Sequence, residues 1–545
     1  MRDTKSGRIV LGAASGLLSA VAGVGVSLVV SVLVGGAPTP ITAVGDRFID
    51  STPGSVKDWA VRTLGSSDKP VLLAGIFTVI GLLACIIGII AWRSRKTALA
   101  LAGLLGLVAV AAALTDPSQL TSTAARLAPS IAALVVSVLM LGWFSKSWQH
   151  APRGGAQASN AQSDPRPHSS ADVVSDRTPR RRTKMIQNPA PPGFDRRAFL
   201  AAALVSGAAV TIGAGSAHVF GNTGARSRDS IRLPRPSDAA ARLSPATSVG
   251  VAGVAPFITI ANSFYRVDTA LSVPQIDAST WRLKIHGMVD HEVELTFEDL
   301  LAMPLVERRI TLTCVSNEVG GDLIGNATWL GVKITDLLDQ VGVDPHADAV
   351  KSVSVDGFTV GTPLAALTDG RDAMIAIGMN GQPLPLTHGF PARMIVPGLY
   401  GYVSATKWLV DMEMTRFEDF SAYWTDRGWS AEAPIKTASR IDVPGSFAQL
   451  KSGRVPVAGV AWAQHTGVER VDVRVDGNAW QQARLAAEDS IDTWRQWIYV
   501  WDAKPGDHTL DVRATDDSGY TQTSHRVSPR PDGATGWQSV NVTVT

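Results

Sequence analysis

The sequence predicts a multidomain chain: a five-helix transmembrane module, then an α+β domain, then an all-β sandwich. Three observations carry that prediction. Five apolar stretches crowd the first 220 residues, each near the roughly 17–25 residues needed to cross about 30 Å of hydrocarbon. From about Val251 to Asp426, strands and short helices mix without a βαβ rhythm. From about Ile435 to Thr545, alternating strands follow one another, broken by Asp, Gly and Pro turns.

The spans are expected at Val10–Val34, Val71–Trp92, Thr97–Leu114, Ala128–Phe144 and Ala198–Phe220. Lys and Arg set their orientation. Arg2, Lys5 and Arg8 precede the first span, and Arg93, Arg95 and Lys96 follow the second. Ser145–Arg197 holds ten Lys or Arg against four Asp, whereas Gly36–Pro70 balances four basic residues with four acidic. The N-terminus, the Arg93–Lys96 turn and Ser145–Arg197 are therefore expected to be cytoplasmic, and everything after Phe220 outside. Spans one to four carry no histidine, and His218 sits only at the outer end of the fifth, so no haem is expected, because a haem bundle needs axial ligands. The span interiors lack ionisable residues, which argues against ion or proton transport. An anchor in membrane lipid, or a docking module, is the expectation.

The boundaries follow. Residues 1–144 form a four-span region and 145–197 a disordered cytoplasmic linker rich in Pro, Ser, Gln and Arg. That linker ends in Asp195-Arg196-Arg197-Ala198-Phe199-Leu200, before a weakly apolar Ala/Gly helix at 198–220. The arrangement resembles an internal twin-arginine export signal, a route for folded, cofactor-loaded domains, with the helix retained. Residues 221–250 are a second linker, 251–430 the α+β domain and 435–545 the sandwich.

Within the α+β domain, Trp281–Gly287 alternates as a strand should. Thr296 is an N-cap candidate heading the short helix Thr296–Leu301. Arg309–Thr313 is a strand leading to Cys314, Ile334–Val341 a helix, and Val350–Val355 and Met394–Val396 further strands. The chain has two cysteines. Cys85 falls in a span, so Cys314 has no disulfide partner in the exported part. Such a thiol is a small buried hydrophobe, a covalent catalyst or a metal ligand. No CxxC, CxxCH or HExxH appears, so zinc and cysteine-ligated iron–sulfur centres lack support. A formal net charge of +2 provides no global field for nucleic acid.

The order of motifs is specific. Trp281 through Cys314, Met379-Asn380-Gly381-Gln382-Pro383-Leu384-Pro385, His388-Gly389-Phe390-Pro391-Ala392-Arg393 and Lys407-Trp408 together resemble the molybdenum-cofactor domain of the sulfite oxidase family. The resemblance covers about Val251–Thr545. It implies molybdenum–molybdopterin, with the Cys314 thiolate as metal ligand and catalytic residue; soft sulfur suits a redox-active metal. It implies cofactor contacts from Asn262, Tyr265 and Arg266, from His388 and Arg393, and from the loop Ala405-Thr406-Lys407. Asp356, after the strand Val350–Val355, is a further candidate. Sulfite oxidases follow the metal cysteine with arginines; here Asn317-Glu318-Val319 stands, and Glu318 and Asp322 are expected to repel an anion. The family's active-site tyrosine falls near Leu364. Sulfite is therefore expected to be a poor substrate, with logic closer to the periplasmic methionine-sulfoxide reductase branch.

In the last part Val471, Val473 and Val475 alternate with Asp472 and Arg474, and Leu510, Val512 and Ala514 form another face. This resembles the family's immunoglobulin-like dimerisation domain and implies a homodimer. The expected activity is two-electron oxygen-atom transfer outside the membrane on an unidentified small molecule or oxidised side chain. A separate electron-transfer partner, cytochrome or quinone-linked, would complete it. The alternative is a non-enzymatic surface scaffold or adhesion protein.

Overall fold

The computed structural model describes residues 5–53, 68–116, 122–146, 196–220 and 222–545, with 56, 59 and 63. Residues 147–195 of the expected linker lie outside the described residues.

The N-terminal module contains α1 (Lys5–Leu33), α2 (Pro40–Ser51), α3 (Asp68–Arg93), α4 (Arg95–Leu114), α5 (Thr123–Lys146) and α6 (Arg196–Phe220). Among the described residues, α1, α3, α4 and α5 are long and apolar enough to cross a membrane. The fifth expected span forms a helix, but its described apolar stretch, Leu200–Gly213, is shorter. Helix α1 is the hub, packing against α3, α5 and α6. A Cβ on Gly16 would sit 1.9 Å from the Ala84 carbonyl oxygen, and one on Gly88 2.1 Å from that of Gly12. Small residues thus let the α1 and α3 backbones touch, the usual device where lipid supplies no hydrophobic drive. Helix α2 was not anticipated. Pro40 opens it and the Thr39 hydroxyl accepts from the Thr42 amide at 3.3 Å, a proline start with a side-chain cap.

Residues 222–250 make up nearly all of the expected 221–250 linker. They form α7 (Thr223–Ser230), then run along the α+β domain. Arg228 donates to the carbonyls of Pro383 and Leu384, each at 3.0 Å, and Asp238 bridges to Val306. The segment's polar composition hid these backbone partners.

The α+β domain runs β1 (Arg282–Gly287), β2 (Val293–Thr296), α8 (Phe297–Ala302), β3 (Leu305–Thr313), β4 (Ile324–Lys333), α9 (Ile334–Val341), β5 (Ala349–Ser354), β6 (Thr359–Pro363), α10 (Ala365–Thr368), β7 (Met374–Met379), β8 (Gln382–Pro383), β9 (Arg393–Ile395), α11 (Gly401–Ser404) and β10 (Leu409–Thr415). One sheet has the order β2-β1-β10-β5-β6; the other is β3-β4-β7-β8, with β9 on β7. Thr296 and Asp299 form a reciprocal capping box at the start of α8. The core lies between the sheets and includes Leu283, Leu300, Trp329, Ile377, Met394 and Met412.

The last domain is two facing sheets. One is β11 (Ala438–Val443), β13 (Gly453–Trp462), β17 (Arg495–Ala503) and β16 (Arg484–Leu485); the other is β12 (Ala448–Leu450), β19 (Gln538–Val544), β18 (Gly506–Asp516), β14 (Val468–Val475) and β15 (Gln481–Gln482). Val471, Val473, Leu510 and Val512 point inward as alternation requires. This domain packs on β3. Arg309 forks onto Asp489 at 2.6 and 2.8 Å, and Gln464 donates to the Thr313 hydroxyl at 2.8 Å, next to Cys314.

Candidate active site

Strand β3 is buried over its last four positions and delivers Cys314 to the end of a cavity between the sheets. The Cys314 amide donates to the Leu323 carbonyl at 2.9 Å, and the Asn317 amide closes a turn on the Cys314 carbonyl at 3.0 Å. Burial raises the thiol's pKa, opposed by hydrogen bonds from Ser316 and the charge of Lys407. A metal binding there must displace that proton. Among the described residues no His, Cys, Asp and Glu form a cluster able to hold a metal, so protein side chains offer Cys314 no companion ligands.

The cavity has a volume of about 110 Å³ and opens partly to solvent. Its walls bring together Cys314, Tyr265, Asp356, His388, Arg393, Ala405 and Lys407, residues spread over more than a hundred positions of sequence. His388 donates from Nε2 to the Ala261 carbonyl at 2.9 Å, since a carbonyl can only accept. Burial lowers its pKa to about 4, so the ring is neutral at pH 7 and Nδ1 is an acceptor. Gly389, at φ 107°, lies where a Cβ would meet the Lys407 backbone at 3.1 Å. Arg393 donates to the carbonyls of His388 at 3.1 Å and Ala405 at 3.2 Å, over the Trp329 ring at 5.3 Å. Its Nε is buried without a hydrogen-bond partner among the described residues. Burial brings its pKa down to about 10, leaving it charged.

Lys407 Nζ reaches Asp268 Oδ2 at 2.6 Å, and burial pulls its pKa down to about 8. Asp268 is held below the usual carboxylate range against its own burial by Lys407, Lys69 and Arg266. Asp356 follows β5 and accepts from the Phe358 amide at 3.3 Å; burial raises its pKa.

Three expected contacts lie elsewhere. Asn262 is exposed in a short turn and absent from the cavity wall, where its neighbour's carbonyl meets His388 instead. Arg266 stands outside the wall and pairs with Asp268 at 2.8 Å. The Thr406 side chain turns into the sheet and shares a 2.6 Å hydrogen bond with Ser352. The expected carboxylate repulsion also loses its place. Glu318 and Asp322 are not on the cavity wall; the loop after Cys314 folds toward the last domain, with Arg440 donating to Gly321 at 2.8 Å. Leu364 likewise caps α10 outside the cavity. Sequence reading missed Asp268 and the aromatic wall of Phe358, Tyr402, Trp424 and Trp429. No local pattern marks these residues.

The set fits a bulky anionic group carrying a soft metal. It offers one thiol, an orphaned guanidinium nitrogen, a neutral imidazole acceptor and two buried cations, Arg393 and Lys407.

Residues 270–424 match the family model for the oxidoreductase molybdopterin binding domain. The chain is 31% identical over 337 residues to mitochondrial sulfite oxidase of Mus musculus, covering 52% of this chain and 61% of that one. It is 34% identical over 153 residues to the uncharacterized oxidoreductase YuiH of Bacillus subtilis (strain 168), covering 28% of this chain and 74% of that one. Among solved structures, the sulfane dehydrogenase SoxCD of Paracoccus pantotrophus aligns at 23% identity and TM-score 0.48 over 53% of this chain and 82% of that one.

Proposed function

This chain belongs to the sulfite oxidase family of molybdopterin-dependent oxidoreductases, and on that premise we propose that it is a membrane-anchored enzyme of oxygen-atom transfer acting outside the cytoplasmic membrane. The observation that carries the reading is Cys314, an unpaired buried thiol on the wall of a cavity lined with Arg393 and Lys407. When bound, the molybdenum cofactor supplies a metal that changes by two electrons. The protein's part is to bind and orient it. Cys314 is the metal ligand. Tyr265, His388, Arg393, Ala405 and Lys407 hold the pterin and its phosphate, Arg266 contributes charge through Asp268, and Asp356 closes the cavity floor. Asn262 and Thr406 act through their backbone segments.

Because the chain spans 61% of the length of the mitochondrial sulfite oxidase it matches, substrate and partners are proposals too. The cations on the cavity wall, Arg393 and Lys407, are already assigned to the cofactor. Among the described residues of the wall, no further cation remains to grip an oxyanion. Lys333 pairs with Asp372, Arg371 with Asp369 and Arg440 with Asp442, away from the wall. The rest of the wall includes the aromatic side chains Tyr402, Trp424 and Trp429. It fits an uncharged S-oxide or N-oxide with an apolar substituent better than sulfite, since apolar pockets with few polar groups take such ligands. Electrons pass to or from a separate cytochrome or quinone-linked protein. The four apolar helices anchor the chain, the helix after Arg196-Arg197 serves as an internal twin-arginine signal and fifth span, and the immunoglobulin-like sandwich forms a homodimer.

Molybdenum and pterin analysis of the purified protein tests the core of this. Stoichiometric amounts support the enzyme; their absence favours a scaffold. Turnover of sulfite at kcat/KM of about 10⁴ M⁻¹s⁻¹ or more would overturn the substrate assignment.

A further inference from the structure

We propose that Lys69, from the first turn of α3, is a positioning residue of the cofactor site, so that the membrane module completes the cavity of the α+β domain.

Lys69 Nζ forms an ion pair with Asp268 Oδ1 and donates to the Ala270 carbonyl at 2.6 Å. The Asp268 side chain is 3% exposed and that of Lys69 19%, so water screens the pair little. Asp268 is shared: Lys407 and Arg266 both take Oδ2, at 2.6 and 2.8 Å. Oδ1 takes Lys69 of the membrane module as its near partner, with Arg266 Nη2 further off at 3.4 Å. The position of Lys69 is set by a wider contact. Gly45 of α2 packs so close to Leu271 that a Cβ would lie 2.5 Å from its side chain. Asp50 of α2 accepts from the Tyr423 hydroxyl at 3.2 Å. Both contacts flank wall residues, Thr269 on one side and Trp424 on the other.

Charge explains what the lysine does. Lys69, Lys407 and Arg266 against one carboxylate leave a local surplus of two positive charges. A phosphate monoester carries about −1.5 to −2 at pH 7. Without Lys69 the surplus is one, and Asp268 competes with the phosphate for Lys407. By occupying Oδ1, Lys69 weakens that competition and leaves Lys407 available to the anion. Arg393 brings to the anion only its Nε, unpartnered among the described residues, because its other two nitrogens donate to backbone carbonyls. If the domain crosses the membrane folded and loaded, this contact forms only after export and secures the cofactor there.

The inference rests on the cofactor reading, and the test separates the two. The full-length protein, its Lys69→Met and Lys69→Arg variants and the Lys69→Met/Asp268→Asn double variant are dialysed. Retained pterin is read by fluorescence after acid oxidation. If the wild type holds no pterin, the cofactor reading itself fails. If it holds pterin, Lys69→Met should lose it about tenfold faster, the value of one charge-assisted contact. Lys69→Arg should hold it nearly as well as the wild type. The double variant should recover retention, because removing the carboxylate frees Lys407. Wild-type retention in Lys69→Met would overturn the proposal. So would a double variant as leaky as the single, since Lys69 would then be only a tether.

Discussion

Replacing Arg393 by Met separates what holds the fold from what holds the cofactor. Met keeps most of the side-chain volume and removes the charge. In the apoprotein, two buried carbonyls, His388 and Ala405, lose their donor, at about 1–3 kcal/mol each. The contact with the Trp329 face at 5.3 Å is lost, worth about 0.5–2 kcal/mol. Against this, the wild type bears the cost of burying a guanidinium whose pKa falls to about 10. That shift corresponds to roughly 3 kcal/mol at about 1.4 kcal/mol per unit, which the variant regains. The regained cost offsets part of these losses, leaving a net destabilisation between near zero and about 5 kcal/mol. The holoprotein has no such compensation: a charge-assisted bond to the cofactor's anion is worth about 1.5–3 kcal/mol, or about 10–150-fold in retention. The assay is thermal midpoint of apoprotein from molybdenum-depleted cells beside pterin retained on dialysis. The expected result is an unchanged or lowered midpoint with pterin lost. Pterin retention equal to wild type would refute the assignment, and apoprotein that no longer folds would refute the offset.

Cys314→Ser should abolish turnover while most pterin remains, because Arg393 and Lys407 still hold its phosphate; Cys85→Ser should leave turnover intact, and full activity of Cys314→Ser would sink the ligand role. Replacing Arg196 and Arg197 with Lys keeps the positive charge but should leave the folded domain inside the cell, read by protease added outside; unchanged exposure would reduce the pair to a topology flank. Asp46 on α2 has its pKa raised to about 7 by burial and by Asp116, Asp356 and Asp50. The native state then binds a proton that the unfolded chain releases near 4, so stability falls as pH rises from about 4 to about 7. Asp46→Asn should therefore raise the thermal midpoint at pH 8, by a term on the order of a few kcal/mol, and change little at pH 4; parallel midpoint–pH curves for the two proteins would contradict the shift.

Some of the chemistry was legible because it is local. A thiol without a partner, the run from His388 to Arg393 and Lys407-Trp408 stand out by residue type and order, and the cavity gathers Cys314, His388, Arg393 and Lys407. Secondary structure was legible where one period or one cap decides it. Helix α9 occupies Ile334–Val341 as expected and stops at Gly342, φ 66°. The Thr296 box starts α8. The apolar runs become helices, and a helix is also the form in which such a stretch would satisfy its own backbone in lipid.

Other features depend on which distant segments meet, and no period encodes that. Strand β1 lies parallel to β10, with Lys284 opposite Asp411, and this pairing brings the two ends of the domain to one sheet. Glu318 is near Cys314 in sequence, yet the turn at Asn317 and the Arg440–Gly321 contact carry its loop to the last domain. Asp268 looks like an ordinary surface carboxylate until Lys407, Arg266 and Lys69 converge on it. The sequence by itself determined which side chains have the chemistry to ligate a metal or pair with phosphate. Only the tertiary structure decided which charges share a buried space, where low dielectric and desolvation make their balance matter.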